Sequence, residues 1–191
     1  MSKETLQEKD KFQLIIETIK KNYKILISIV VTCILLLFAY LYIQNSIKKE
    51  NIDISENFNQ AKILISQGKK EEGRNILIEI VRKKNKFYSP LSLFVIIDLK
   101  LEKNNQKIIK MFDEIISIKK IDKENKNLIK IKKALFLTEF ADEDVIIKTL
   151  SPVINSKSVW RKDAINILGD FFSNKGENFK ANEYYDLLKK K

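Results

Sequence analysis

The pattern of hydrophobic positions along the chain changes once, shortly before residue 50. Residues 25–43 read ILISIVVTCILLLFAYLYI and carry no charged side chain. Beyond them, apolar residues recur three, four and seven positions apart, a period that predicts amphipathic helices rather than strands. We therefore expect an all-α protein in which a single N-terminal transmembrane helix precedes a domain of short helices.

The apolar run is long enough to span a bilayer. As a helix it covers about 28 Å at ~1.5 Å per residue, close to the thickness of the hydrocarbon core. Tyr23 precedes the run, and Tyr40 and Tyr42 close it, where amphipathic rings favour the membrane interface. The hydroxyls of Ser28 and Thr32 can bond to carbonyls of the same helix. The alternative is a buried helix of a soluble protein, which would need a polar face that this run lacks.

The flanks of the run predict an uncleaved anchor and its orientation. No small-x-small cleavage site follows, and VVTC around Cys33 lacks the small residues of a lipoprotein signal. Lysines are in excess on the N-terminal side, which predicts that the N-terminus lies inside, in the cytoplasm, and that the C-terminal domain lies outside. In a bacterium, outside would mean the periplasm. The predicted parts are a cytoplasmic tail at 1–24, an anchor at 25–47 and a helical-repeat domain at 48–191.

The tail contains a second apolar pattern with two interpretations. Phe12, Ile15, Ile16 and Ile19 share one face of a predicted helix with lysines around them. Such a helix can lie along the inner membrane surface. It can equally be an N-terminal extension of the spanning helix.

Short polar breaks divide the region after residue 48 into helices of about fourteen residues. Their centres, Gly68, Lys103, Ala141 and Gly176, are 35, 38 and 35 residues apart. This period is typical of helix–turn–helix repeats, which bury their apolar faces by stacking. The pattern predicts an α-solenoid of about four helix hairpins. The breaks are Gln67-Gly68-Lys69, Glu102-Lys103-Asn104, Phe140-Ala141-Asp142 and Asn174-Lys175-Gly176.

Helix starts also have local signals. Ser89-Pro90 predicts an N-cap followed by proline in the first turn, where the missing N–H costs nothing. Acidic residues that follow two of the breaks suit the positive end of a helix better than a catalytic role. They are Glu71, Glu72, Asp142, Glu143 and Asp144.

The last two predicted helices carry a specific motif. The stretch LGDFFSNKGENFKANEYY resembles the tetratricopeptide repeat, in which small residues lie where two helices cross and glycine supplies a left-handed turn. The first pair shows a weaker version around QGKKEEG, and the middle pairs keep the period without the motif. The predicted packing positions are Ala61, Gly68, Gly73, Leu77, Leu168, Gly169, Phe172, Gly176, Ala181 and Tyr185.

The layout as a whole resembles a known family. A basic tail, one anchor and four degenerate helix pairs are similar to the tetratricopeptide-like ancillary subunit of the bacterial Sec translocon. The last pair carries the specific identities, which are Trp160, Ala164, Leu168, Gly169, Asp170 and Gly176. The resemblance implies an inner-membrane protein whose periplasmic repeats associate with the translocon and a membrane-anchored periplasmic chaperone. The chain departs from the family in replacing most of its usual alanines with Ile, Leu or Lys.

The composition of the chain disfavours two classes of function, namely binding of nucleic acid or anionic lipid, and enzyme catalysis. The formal net charge is +11, but the 36 basic and 25 acidic residues are interleaved, and the abundance of Lys and Ile is typical of an AT-rich genome. Binding of nucleic acid or anionic lipid is therefore the less favoured alternative. The chain has no histidine and one cysteine, which excludes Ser-His-Asp and Cys-His catalysis and Cys/His zinc sites. We expect no enzyme activity, no cofactor and no metal.

These observations favour a non-enzymatic, membrane-anchored scaffold for protein–protein interaction. Its first helices are expected to line a groove for a partner, with the convex side, the span or a merely solvated face as alternatives. The scaffold could equally serve another envelope complex. The candidate groove residues are Phe58, Lys62 and Ile65 in the first pair, and Asp163, Asn166, Asp170, Ser173 and Asn174 in the last.

Overall fold

The computed structural model describes the backbone of residues 3–189 and the side chains of residues 21–189 other than Leu26. The regular structure of this part of the chain is helical and contains no strand, which confirms the all-α part of the predicted fold class. Its eight helices are α1 (Lys3–Ser66), α2 (Lys70–Arg82), α3 (Tyr88–Asp98), α4 (Asn105–Ile116), α5 (Lys123–Leu137), α6 (Glu143–Ile154), α7 (Arg161–Asn174) and α8 (Asn178–Asp186).

The chain divides into two compact units, Met1–Ile52 and Asp53–Lys191. Within the first unit, the backbone of α1 leaves helical geometry at Asn22, with φ −112° and ψ 17°. This interruption lies just before the apolar run. The predicted amphipathic face of the tail lies outside the residues whose side chains are described.

Between Lys21 and Ser66, α1 is long and apolar enough to cross a membrane. The described large apolar side chains of residues 25–43 are all exposed, so this part of the unit offers them no core. The hydroxyl of Thr32 donates a hydrogen bond to the carbonyl of Ser28 at 2.8 Å, as predicted. Because a contiguous apolar surface of this kind is unfavourable in water, the helix is a candidate membrane span.

In the second unit, helices that follow one another in sequence pack together from α2 through α8, and α5 also contacts α7. Each of the four predicted breaks lies between two helices. Buried residues form two hydrophobic clusters, and α5 belongs to both because Ile129 lies in the first and Ile131 in the second. The helices therefore bury their apolar faces on neighbours in the sequence.

Two glycines end first helices in the left-handed conformation, as predicted. Gly68 has φ +84° and Gly176 has φ +79°. At Gly176, the N–H of the glycine donates to the Ser173 carbonyl and the next N–H donates to the Phe172 carbonyl. The turn at Gly68 has the same pair of hydrogen bonds. This is a Schellman motif, which satisfies carbonyls that the helix end leaves unpaired.

The second break differs from the prediction. Helix α3 ends at Asp98, and the left-handed residue of its turn is Lys100, with φ +50°, three residues before the predicted break centre at Lys103. Lys100 and Leu101 donate to the carbonyls of Ile97 and Ile96, the same bonds that follow the two glycines. This turn therefore has the same geometry as the turns at Gly68 and Gly176, although a lysine does not signal a left-handed residue in the sequence.

The predicted cap at Ser89 is wrong. Helix α3 begins at Tyr88, so Ser89 lies inside its first turn, and its buried hydroxyl donates to the carbonyl of Ile80 at 2.8 Å. The side chain of Asn85 instead accepts the N–H bonds of Phe87 and Tyr88. Ser89 thus joins α3 to α2, and Pro90 keeps its predicted place in the first turn.

The second helices of the four predicted hairpins share a register. The fourth residue after each N-cap is buried, and so is the eighth, except that Tyr185 stays partly exposed. The fourth residues are Gly73, Ile108, Ile146 and Ala181, and the eighth residues are Leu77, Phe112, Leu150 and Tyr185. Helices α2 and α6 also carry the predicted acidic residues in their first turns.

Candidate functional site

The predicted packing residues of the first pair lie at a close helix crossing. A Cβ on Gly73 would be 2.8 Å from the carbonyl oxygen of Ala61 and 2.5 Å from Cγ1 of Ile65. Ala61 and Leu77 are fully buried beside it. Only glycine fits this position without displacing backbone, because a carbonyl oxygen in a helix has little freedom to move.

The last pair has a comparable crossing with a different neighbour. Gly169 lies against the ring of Tyr185, and a Cβ on Gly169 would be 2.5 Å from Cζ of that ring. The Tyr185 hydroxyl donates to Oδ1 of Asp170 at 2.6 Å, and this carboxylate raises the pKa of the tyrosine. Leu168 and Ala181 are buried at the same crossing. Tyr185 therefore covers the glycine rather than filling a gap beside it.

Tyr184 takes part in packing that the sequence pattern did not indicate. Its ring stacks on Phe172 with centroids 5.5 Å apart and an interplanar angle of 3°. Phe172 is fully buried, and Lys180 Nζ lies 5.0 Å from its centroid. Burial raises the pKa of the Tyr184 hydroxyl. Tyr184 and Tyr185 are adjacent in sequence but pack against different neighbours, so the sequence motif alone does not distinguish their roles.

Two of the three groove candidates of the first pair, Phe58 and Ile65, pack against other residues of the unit. The ring of Phe58 lies 5.6 Å from that of Tyr88 on α3, and Lys62 Nζ lies 5.9 Å from the Phe58 centroid. The Tyr88 hydroxyl donates to Ser55 Oγ at 2.8 Å. Ile65 is half-buried against the first cluster. Among these three, the exposed side chain is that of Lys62.

The five groove candidates of the last pair are all exposed on α7. Asp170 and Asn174 line a concavity of about 310 Å³ that is bounded by α5 and α7. Asp163, Asn166 and Ser173 do not line it. The other lining residues are Leu135, Thr138, Ile167, Phe171 and Lys175. The structure thus brings two of the five candidates together in one small groove.

A larger groove runs along α2 and α4. None of the predicted packing residues or groove candidates lines it. It measures about 670 Å³, and an adjoining concavity of about 290 Å³ shares Ile78, Arg82, Glu102 and Lys107 with it. We call the two together the α2–α4 groove. Its other lining residues are Ile54, Asn57, Arg74, Asn75, Ile76, Glu79, Ile80, Val81, Lys83, Lys110, Met111 and Glu114.

Glu102 is a fixed charge at the centre of the α2–α4 groove. Its side chain is 9% exposed, and its Oε1 accepts from the N–H groups of Lys103 and Asn104, both at 2.9 Å. The Asn104 amide first, and then Lys107, the Lys103 amide and Arg74, lower the pKa of this carboxyl. Because the anionic form is held by the backbone, Glu102 anchors the loop before α4.

The positions of the arginines are a sequence feature that could have indicated this groove. The chain has three arginines against 33 lysines, and two of them, Arg74 and Arg82, line the α2–α4 groove. Arg82 pairs with Glu79 at 2.6 Å, and Arg74 Nη1 lies 3.4 Å from Glu71. The buried Nε of Arg74 has no hydrogen-bond acceptor among the described residues.

Among the described residues, no group of three or more His, Cys, Asp or Glu side chains is placed to hold a metal ion. Cys33, the one cysteine of the sequence, is exposed on α1. Comparisons with protein families, with curated proteins and with solved structures gave no match.

Proposed function

We propose that this chain is a non-enzymatic, membrane-anchored scaffold, and specifically an accessory of the Sec translocon that engages a periplasmic chaperone or emerging secreted chains. The observation that carries the proposal is the combination of an exposed apolar helix with a packed helical unit that has its own core. The first suits insertion among other membrane helices. The second offers surfaces for a partner.

The proposed architecture of the second unit is an α-solenoid of four tetratricopeptide-like hairpins. Two features support it: small residues at the crossings of the first and last pairs, and left-handed turns at Gly68, Lys100 and Gly176. The α5–α7 contact, which skips one helix, also suits stacked repeats. In such an array, first helices form one face and second helices the other.

The specific assignment to the translocon rests on the resemblance at residues 160–185. It includes an inner-membrane location with the N-terminus in the cytoplasm and the repeats in the periplasm. A tether of this kind would raise the effective concentration of a weak chaperone contact to the order of millimolar. An anchored scaffold for another envelope complex is the alternative that the same anchor and repeats support.

Crosslinking in native membranes tests the assignment. The full chain, expressed at its natural level, is crosslinked and recovered, and its partners are identified. We expect translocon subunits together with a periplasmic chaperone. Recovery of neither would overturn the Sec assignment, whereas reproducible recovery of a different envelope complex would redirect the scaffold to that complex.

A further inference from the structure

The α2–α4 groove combines an apolar floor with an excess of positive charge. Ile54, Ile80 and Val81 are buried in its floor, while Ile78 is partly exposed. Five cationic and three acidic side chains line it. A groove with apolar contacts at its base and cations at its rim is complementary to an apolar stripe flanked by carboxylates.

Pairing inside the groove leaves some cations available. Arg82 is bound to Glu79, and Lys107 lies 3.9 Å from Glu102. Lys83 and Lys110 are exposed and form no ion pair within the described part of the chain. They are the groups that an incoming anionic side chain would meet.

We propose that the α2–α4 groove binds an acidic amphipathic segment of a partner protein. The partner's apolar residues contact the partly exposed Ile76 and Ile78, and its carboxylates contact Lys83 and Lys110. Residues 74–83 extend about 14 Å along α2, so the groove accommodates two to three turns of a helix at ~5.4 Å per turn. The proposal rests on the proposed scaffold function and places its binding surface on the second helices.

A polypeptide fits this surface better than a nucleic acid. Glu79 and Glu114 lie on the same surface as the lysines and interrupt its positive charge. A peptide can place neutral residues opposite them, whereas a nucleic acid carries a phosphate at every nucleotide. An apolar floor gives no advantage to a sugar–phosphate chain.

The test uses the full chain in nanodiscs of zwitterionic lipid, with empty nanodiscs as the blank. The probe is a labelled synthetic helix of about three turns with glutamates on one face and leucines on the other. Its affinity is measured by fluorescence anisotropy for the unmodified protein and for two double variants of equal charge. Lys83→Glu/Lys110→Glu alters the groove, and Lys148→Glu/Lys157→Glu alters exposed lysines elsewhere.

We expect the groove variant to bind the peptide at least about tenfold more weakly and the control variant to stay within about twofold. Equal losses in both variants, or no loss in either, would overturn the proposal. It would also be overturned if a peptide with glutamine in place of glutamate bound as tightly, or if a single-stranded oligonucleotide bound as tightly through the same lysines.

The outcome is separable from that of the proposed function. A groove variant that loses the peptide but still recovers the same partners from native membranes would place those partners on another surface. Unchanged peptide affinity counts against the groove alone, whereas failure to recover translocon subunits with the peptide site intact counts against the Sec assignment alone.

Discussion

Gly73 packs directly on the backbone of Ala61, with 2.8 Å between the carbonyl oxygen of Ala61 and the place of a Cβ on the glycine. Gly169, the glycine of the last pair, meets the side chain of Tyr185 instead. A side chain can turn aside, whereas a helical carbonyl can move only with its helix. The two glycines therefore tolerate alanine differently.

We expect Gly73→Ala to destabilise the protein by about 1–3 kcal/mol, since overpacking outweighs the gain of ~1 kcal/mol in helix propensity. Gly169→Ala should stay within about 1 kcal/mol of the unmodified protein, because displacement of the Tyr185 ring offsets a similar gain. Thermal unfolding of the full chain, followed by circular dichroism at the helix minimum, measures both. Equal melting temperatures for the two variants would contradict this account of the crossing at Gly73.

Lys100 holds a left-handed conformation that costs an ordinary residue free energy. Lys100→Gly should therefore stabilise the protein by about 0.5–1 kcal/mol, after the entropic cost of a new glycine is subtracted. Lys103→Gly, three residues later in the same loop, is the control, because Lys103 is not among the residues with positive φ. It should lower stability slightly. A lower melting temperature for Lys100→Gly would mean that its turn is not strained.

Glu102 makes stability depend on pH in a defined direction. Its carboxyl has a folded-state pKa below the ordinary 4.5, so its stabilising contribution is present above that value and disappears as the pH falls through the folded pKa. The variant Glu102→Gln lacks this contribution at every pH. The difference in melting temperature between the two proteins should be largest near about pH 6 and shrink toward about pH 3.

The control for this titration is Glu139→Gln, which removes an equal charge from an exposed position after α5. It separates the loss of one negative charge from the loss of the hydrogen bonds that Glu102 accepts from the Lys103 and Asn104 amides. A difference for Glu102→Gln that stays constant from about pH 6 to about pH 3 would show that the Lys103 and Asn104 amides do not favour the anion.

The proposed orientation predicts which side of the membrane each terminus reaches. A reporter that is active only in the periplasm, fused after Lys191, should be active, and the full chain should remain at its unprocessed mass. The reason is the lysine excess before the apolar run and the absence of a cleavage motif after it. An inactive reporter would reverse the orientation, and a mature protein that lacks the first 45 residues would rule out an anchor.

The helices of the second unit could be predicted because their signals are local. Apolar residues at helical spacing and glycines at Gly68 and Gly176 mark helices and turns directly in the sequence. The turn at Lys100 could not be predicted in this way, because a lysine in the left-handed region is held there by its surroundings. Ser89 was misassigned since its true partner, the Ile80 carbonyl, belongs to another helix.

The candidate site was less predictable than the fold. Repeat positions placed Phe58 and Ile65 on a partner surface, but the structure packs Phe58 against Tyr88 and Ile65 against Gly73. The α2–α4 groove draws its lining from residues 54–114, and only tertiary packing brings them together. Two of the three arginines of the chain line it, which is a sequence feature that could have indicated the groove.

The central claim is that anchor and repeats contribute separately to recruitment at the translocon. The most direct measurement replaces residues 25–43 of the full chain with an unrelated apolar helix of equal length and quantifies the partners crosslinked in native membranes. We predict that recovery of translocon subunits falls several-fold while recovery of the periplasmic chaperone is unchanged. Undiminished recovery of the translocon, or loss of the chaperone together with it, would contradict the account.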